Sequence, residues 1–150
     1  MSALTIQMFG GLCISHQHRT WNPSENCKVQ ELFCYLLLHR HTPCSREALA
    51  SQFWGDSTTE QSKKNLRQTL WRLQSTYGPY LGCRDEHMVE LRAERVRLNP
   101  SLDLWVDVEV FEQTFTALRA QRELSEEAAR LLREAITLYR GDFLSGWYHD

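Results

Sequence analysis

The stretch TTEQSKKNLRQTLWRLQSTYGP, Thr58 to Pro79, decides the fold. Thr58 and Gln61 stand three apart, the spacing of a capping box, and Gly78-Pro79 ends the segment. At about 100° per residue, Ser62, Leu66, Leu70, Leu73 and Tyr77 share one stripe. Lys64, Arg67, Gln68, Trp71 and Ser75 take the opposite side, with Lys63, Arg72 and Gln74 on its flanks. The pattern predicts a helix over 59–77 with one core face and one face of Lys, Arg and Gln.

Working outward, Ser45 is placed to cap a short helix carrying Ala48, Leu49 and Phe53, which Gly55 can end. Before it, Val29, Leu32, Phe33, Leu36 and Leu37 recur at helical spacing from Lys28 to His39, and Pro43 stops them. Earlier still the period is two: Leu4, Ile6 and Met8, then the turn Gly10-Gly11, then Leu12 and Ile14. This is a hairpin, and a third strand holds Thr20 and Trp21 after the polar turn His16 to Arg19, with Pro23 closing it. Downstream of Pro79, Val89 and Leu91 face Val96 and Leu98 across the turn Arg92-Ala93-Glu94, with arginines on the outer side of the hairpin. Past Pro100 the period is helical again: Asp107 caps a helix with Phe111, Phe115 and Leu118, and Ser125 caps one with Ala128, Leu131, Leu132, Ala135, Ile136 and Tyr139, closed by Gly141. The expected fold is α+β: a winged helix-turn-helix with an N-terminal antiparallel sheet over 1–100, then an α-helical, tetratricopeptide-like helix pair over 101–150.

Composition sets the class. With 42% apolar and 24% charged residues among 150, the chain is an ordinary globular protein. No apolar run approaches the roughly 18 residues a membrane span needs, and Met1 to Phe9 has neither a basic leader nor a cleavable apolar segment, so a cytoplasmic location is expected. Five cysteines (Cys13, Cys27, Cys34, Cys44, Cys83), scattered and without CxxC pairs, read as reduced thiols. Residues 28–99 carry 11 Lys/Arg against 8 Asp/Glu, and residues 100–150 carry 5 against 10, a basic middle and an acidic tail. Cys34, His39, His41 and Cys44 are metal-binding types, but Cys34 lies within an apolar helix and the histidines at its fraying end, so no metal is expected. His16 and His18 lie in a turn and read as solvated. GxxxxGK[ST], GxGxxG, GxSxG and HExxH are all missing, so no enzymatic activity and no cofactor are expected.

What remains is recognition. A major groove accepts one α-helix, and Arg, Lys and Gln are side chains that reach guanine, adenine and phosphate there. A basic helical face is also compatible with a solvated surface, and Trp71 is compatible with packing beneath the hairpin. Two features favour DNA. Trp71 is an aromatic turned outward on that face, as at partner-binding surfaces. Arg92, Arg95 and Arg97 cluster on the hairpin, or wing, of about 88–99, which suits phosphates or a minor groove. The alternative is a protein-interaction adaptor that binds no nucleic acid; in it the cationic face would be covered or paired with acidic groups.

Asn65-Leu66-Arg67 with Leu70, Arg72 and Leu73, Ser45-Arg46-Glu47-Ala48-Leu49, and Phe53-Trp54-Gly55-Asp56 together resemble the OmpR/PhoB-type winged helix as it occurs in the antibiotic regulatory protein (SARP/AfsR-type) family. Arg95-Val96-Arg97-Leu98-Asn99-Pro100, Trp105-Val106-Asp107-Val108 with Phe111-Glu112, and the run Leu138 to Gly146 are similar to the start of that family's bacterial transcriptional activation domain. The resemblance implies a four-stranded N-terminal sheet, a recognition helix over 59–77, a direct-repeat operator in double-stranded DNA, and recruitment of RNA polymerase. The helix face and the wing, with Arg46, give an expected DNA-binding set of Arg46, Lys63, Lys64, Arg67, Gln68, Trp71, Arg72, Arg92, Arg95 and Arg97, and the resemblance implies a polymerase contact at Trp54, Asp56 and Ser57. Many relatives read Arg-Leu-Arg late in the recognition helix; here the triplet is Arg72-Leu73-Gln74. Phe143, Leu144, Trp147 and Tyr148 add an apolar cluster that a lone helix pair cannot bury, which predicts the head of a longer regulator; either the terminal segment folds back over the pair and the free chain is monomeric, the outcome expected at low concentration, or two copies join through this face, promoted by adjacent operator half-sites.

Overall fold

The computed structural model of the chain describes residues 4–16, 19–21, 28–81, 87–119 and 126–138. In order, the elements are β1 (Leu4–Gln7), β2 (Cys13–His16), β3 (Arg19–Trp21), α1 (Lys28–Leu38), β4 (Cys44–Ser45), α2 (Arg46–Phe53), α3 (Thr59–Tyr77), β5 (Val89–Arg92), β6 (Arg95–Leu98), β7 (Leu104–Val106), α4 (Asp107–Arg119) and α5 (Glu126–Leu138). They form two units. One holds β1–β3, β7, α4 and α5; the other holds α1–α3 and β4–β6.

In the first unit the period-two residues Leu4, Ile6, Met8, Leu12 and Ile14 are all buried, which is why the strands pair in one register: a slip of one residue would turn that row outward. β1 and β2 are antiparallel with Ile6 opposite Ile14, and β3 extends β2. Gly10 (φ 83°) and Gly11 (φ 138°) take the positive dihedrals the connection requires. The fourth strand is β7, which joins β1 in parallel, Ile6 opposite Val106, so the sheet order is β3-β2-β1-β7 and the sheet is mixed. The antiparallel reading of the N-terminal strands holds for β1–β3; the fourth strand comes from beyond residue 100. Its pairing depends on contacts about a hundred residues apart, to which local periodicity is blind.

Asp107 explains how that long-range pairing is held. It was expected as a helix cap, but its side chain is buried and reaches back to the start of the chain. Oδ1 accepts from the Met8 amide at 2.8 Å and from the Val108 amide at 2.7 Å, and Oδ2 accepts from the Phe9 amide at 3.2 Å. Phe9 then meets Phe111 edge-on at 5.4 Å. α4 and α5 pack on each other, with Ala128 and Ala135, one heptad apart on α5, buried. Ser125, Tyr139, Gly141 and the apolar cluster Phe143 to Tyr148 lie outside the described residues, as do His18, Pro23, Cys27 and Cys83.

In the second unit, Leu32, Phe33, Leu36 and Leu37 of α1, Leu49 and Ala50 of α2, Leu66, Leu70, Leu73 and Tyr77 of α3, and Met88, Val96 and Leu98 of the hairpin make one core. Phe33 and Tyr77 meet at 4.5 Å. β4, only two residues long and absent from the sequence reading, pairs with β6 and completes a sheet in the order β4-β6-β5. Three helices, the last two joined by a tight loop, followed by a β-hairpin, form a winged helix-turn-helix. The wing turn is the two residues Ala93 and Glu94, at φ 47° and 62°, the type I′ signature, with Arg92 already in strand opposite Arg95.

Candidate nucleic-acid interface

α3 starts where the capping signal placed it: the Thr58 hydroxyl accepts from the Gln61 amide at 3.2 Å. The reciprocal half of a capping box is replaced, because Gln61 Nε2 donates to Asn65 Oδ1 at 2.8 Å. Ser62, on the core stripe, is buried and its Oγ bonds the carbonyls of both Trp54 and Thr58 at 2.9 Å, so the preceding loop is stapled to the first turn of the helix. At Gly55 an added Cβ would lie 2.8 Å from the Ser51 carbonyl oxygen, so the loop closes only around glycine. Asp56 and Ser57 are exposed at its tip, whereas Trp54 is half-buried with its ring 6.0 Å from that of Phe53.

The far face of α3 is open. Lys63, Lys64, Arg67, Gln68, Trp71 and Arg72 are all exposed, and Trp71, at 70%, is not packed beneath the wing. Neither the four cations of α3 nor Arg46 and Arg95 form an ion pair with any described residue. A cleft of about 350 Å³ brings Arg46 at the start of α2, Lys63 and Arg67 of α3, and Glu94 of the wing turn to one place, with Ser45 and Glu47. The Arg46 amide donates to the Glu94 carbonyl at 2.9 Å, which fixes the wing turn beside the N-terminus of α2.

On the wing the three arginines are not equivalent. The register sets Glu90 opposite Arg97 and Arg92 opposite Arg95, all on one face. Glu90 Oε1 lies 3.0 Å from Arg97 Nη2 and 3.6 Å from Arg92 Nε, while Arg95 stays exposed. Sequence reasoning missed Glu90 as a modulator; the hairpin register, counted from a two-residue turn, would have found it. Gln74, which stands where many members of the resembled family carry arginine, is half-buried, and its Oε1 accepts from the amides of Met88 at 2.8 Å and Val89 at 3.4 Å. It anchors the root of the wing to α3, a task that needs an acceptor and that arginine, donor only, cannot perform. Of the cysteines, Cys34 is buried and its thiol is pushed up to about 12, by burial first and by Glu31 second, so it stays protonated. Among the described residues no group of His, Cys, Asp and Glu could hold a metal ion, and no helix is long and apolar enough to cross a membrane.

No protein-family model and no curated protein gives a significant match to this chain. A solved structure does: Mycobacterium tuberculosis EmbR in complex with a low-affinity phosphopeptide, at TM-score 0.69 and 19% identity, over 98% of this chain. The two share a fold. This chain spans 38% of the length of that one.

Proposed function

We propose that the chain is the sequence-specific DNA-binding head of a bacterial transcriptional regulator of the antibiotic regulatory protein type. α3 enters the major groove, and Lys64, Arg67 and Gln68 are placed to read base edges while Lys63 and Arg72 meet phosphates. Arg46 and Arg95, brought side by side by the pairing of β4 with β6, extend the same cationic surface to the backbone beside α3, with Arg92 and Arg97 further contributors on the wing. The observation that carries this reading is the row of exposed, unpaired cations on one face of a helix whose other face is fully committed to the core. An adaptor would be expected to cover or neutralise such a face.

In this reading residues 1–100 serve DNA binding and residues 101–150 open a helical, tetratricopeptide-like activation domain. The protein acts in the cytoplasm as an activator on a direct-repeat operator, where copies associate side by side. RNA polymerase meets the loop of Trp54, Asp56 and Ser57. Selection of bound sites from random double-stranded DNA tests the proposal. A single enriched motif is expected, with Lys64→Ala, Arg67→Ala and Gln68→Ala each weakening binding by roughly 1 to 3 kcal/mol where a base edge is read. No enrichment, or unchanged affinity in all three folded variants, would refute it.

A further inference from the structure

We infer that Trp71 reads a thymine, by packing its ring on the 5-methyl group and donating its indole N–H to O4 of the same base; the inference rests on the DNA-binding reading of α3. Trp71 is 70% exposed and has no hydrogen bond or ring contact with any described residue, although it is the largest side chain on the helix. The core does not lack it, since Leu66, Leu70, Leu73 and Tyr77 are buried without its help. Leaving so large an apolar surface in water forgoes burial that a partner could supply. The partner is constrained by the neighbours: Arg67 and Gln68 lie one turn back on the same face, Arg72 beside it, and none is paired with an acid, so the surface around the ring suits a polyanion.

The chemistry of the indole narrows the choice to one base. It offers a broad apolar face and a single donor, and it cannot accept a hydrogen bond. In the major groove guanine and adenine present acceptors without an apolar group, and cytosine presents a donor that would oppose the N–H. Thymine alone sets a methyl group beside an acceptor. Trp71 lies about 6 Å along the helix axis from Arg67 and about 4.5 Å from Gln68. At about 3.4 Å per base step, that puts the thymine one or two steps from the base those residues read.

The test uses the full chain and its selected operator, with each thymine replaced in turn by uracil, which removes only the methyl, or by 5-methylcytosine paired with guanine, which keeps the methyl and turns the acceptor into a donor. One thymine per site is expected at which uracil weakens the parent about fourfold, the equivalent of roughly 0.8 kcal/mol for one methyl-sized group at about 1.4 kcal/mol per tenfold. Trp71→Ala should be indifferent to uracil at that position. Trp71→Phe, which keeps the apolar face, should stay sensitive to uracil and lose part of the discrimination against 5-methylcytosine. A parent insensitive to uracil at every thymine, or a Trp71→Ala variant as sensitive as the parent, overturns the inference while Arg67→Ala still weakens binding. If Arg67→Ala and Lys64→Ala are silent as well, the recognition-helix reading itself has failed.

Discussion

Replacing Arg95 by alanine probes the wing through the salt dependence of binding. Arg95 is exposed and unpaired among the described residues, so its full charge is free to displace a counterion from a phosphate. Each phosphate neutralised contributes roughly 0.9 to the slope of log K against log salt, so between about 50 and 200 mM, a fourfold change, one contact accounts for about 3.5-fold in affinity. Arg95→Ala should lower the slope by about one unit, equally on operator and unrelated duplex, because a phosphate contact carries no sequence information. Arg97→Ala should lower it less, since Glu90 already holds that guanidinium at 3.0 Å. Glu90→Gln should act in the opposite direction, steepening the slope and tightening binding at low salt by freeing Arg92 and Arg97. Fluorescence anisotropy titrations at four salt concentrations read all three. Identical slopes for Arg95→Ala and the parent, or a larger change for Arg97→Ala than for Arg95→Ala, would refute the reasoning.

Four further outcomes are expected. Asp107→Ala leaves the buried Met8 amide and the Phe9 amide without their acceptor, at about 1 to 3 kcal/mol per buried group, and urea denaturation should report a loss of at least about 2 kcal/mol. Ala93→Asn combined with Glu94→Gly supplies the residues a type I′ turn favours and should raise stability by about 1 kcal/mol, with an unchanged or lower melting temperature counting against the assigned turn. Substituting Asp56 and Ser57 together should lower transcription while operator affinity holds; a parallel loss of both would make the loop a structural support. Cys34 should resist thiol alkylation in the folded protein. Its folded thiol keeps a proton up to about 12 while the unfolded one releases it near 9.0, so its stabilising contribution is complete below pH 9.0 and lost as pH rises beyond it, and a stability profile flat from pH 8 to 11 in the parent and sloping in Cys34→Ala would contradict this.

The local structure was legible because its causes are local. The stripe Leu66, Leu70, Leu73, Tyr77, the cap at Thr58 and the stop at Gly78-Pro79 lie within one helix length, and the structure places α3 over the same residues, 59–77. The alternation of Leu4, Ile6, Met8 and of Val96, Leu98 likewise encodes which side of each strand is buried, since side chains alternate with a period of two. The outward face of Lys64, Arg67, Gln68 and Trp71 follows from the same geometry: once the core stripe is known, the opposite side is determined. Tertiary structure alone decided the partners. That β7 joins β1, that Asp107 spends its carboxylate on the amides of Met8 and Phe9, that Gln74 holds the root of the wing, and that Glu90 restrains Arg97 but leaves Arg95 free all depend on residues far apart in the chain or on a register counted across a turn. Periodicity records whether a residue faces water or core; which donor meets which acceptor is settled only when separate elements close on each other, because a hydrogen bond or ion pair is formed at a distance of about 3 Å and not by a pattern along the chain.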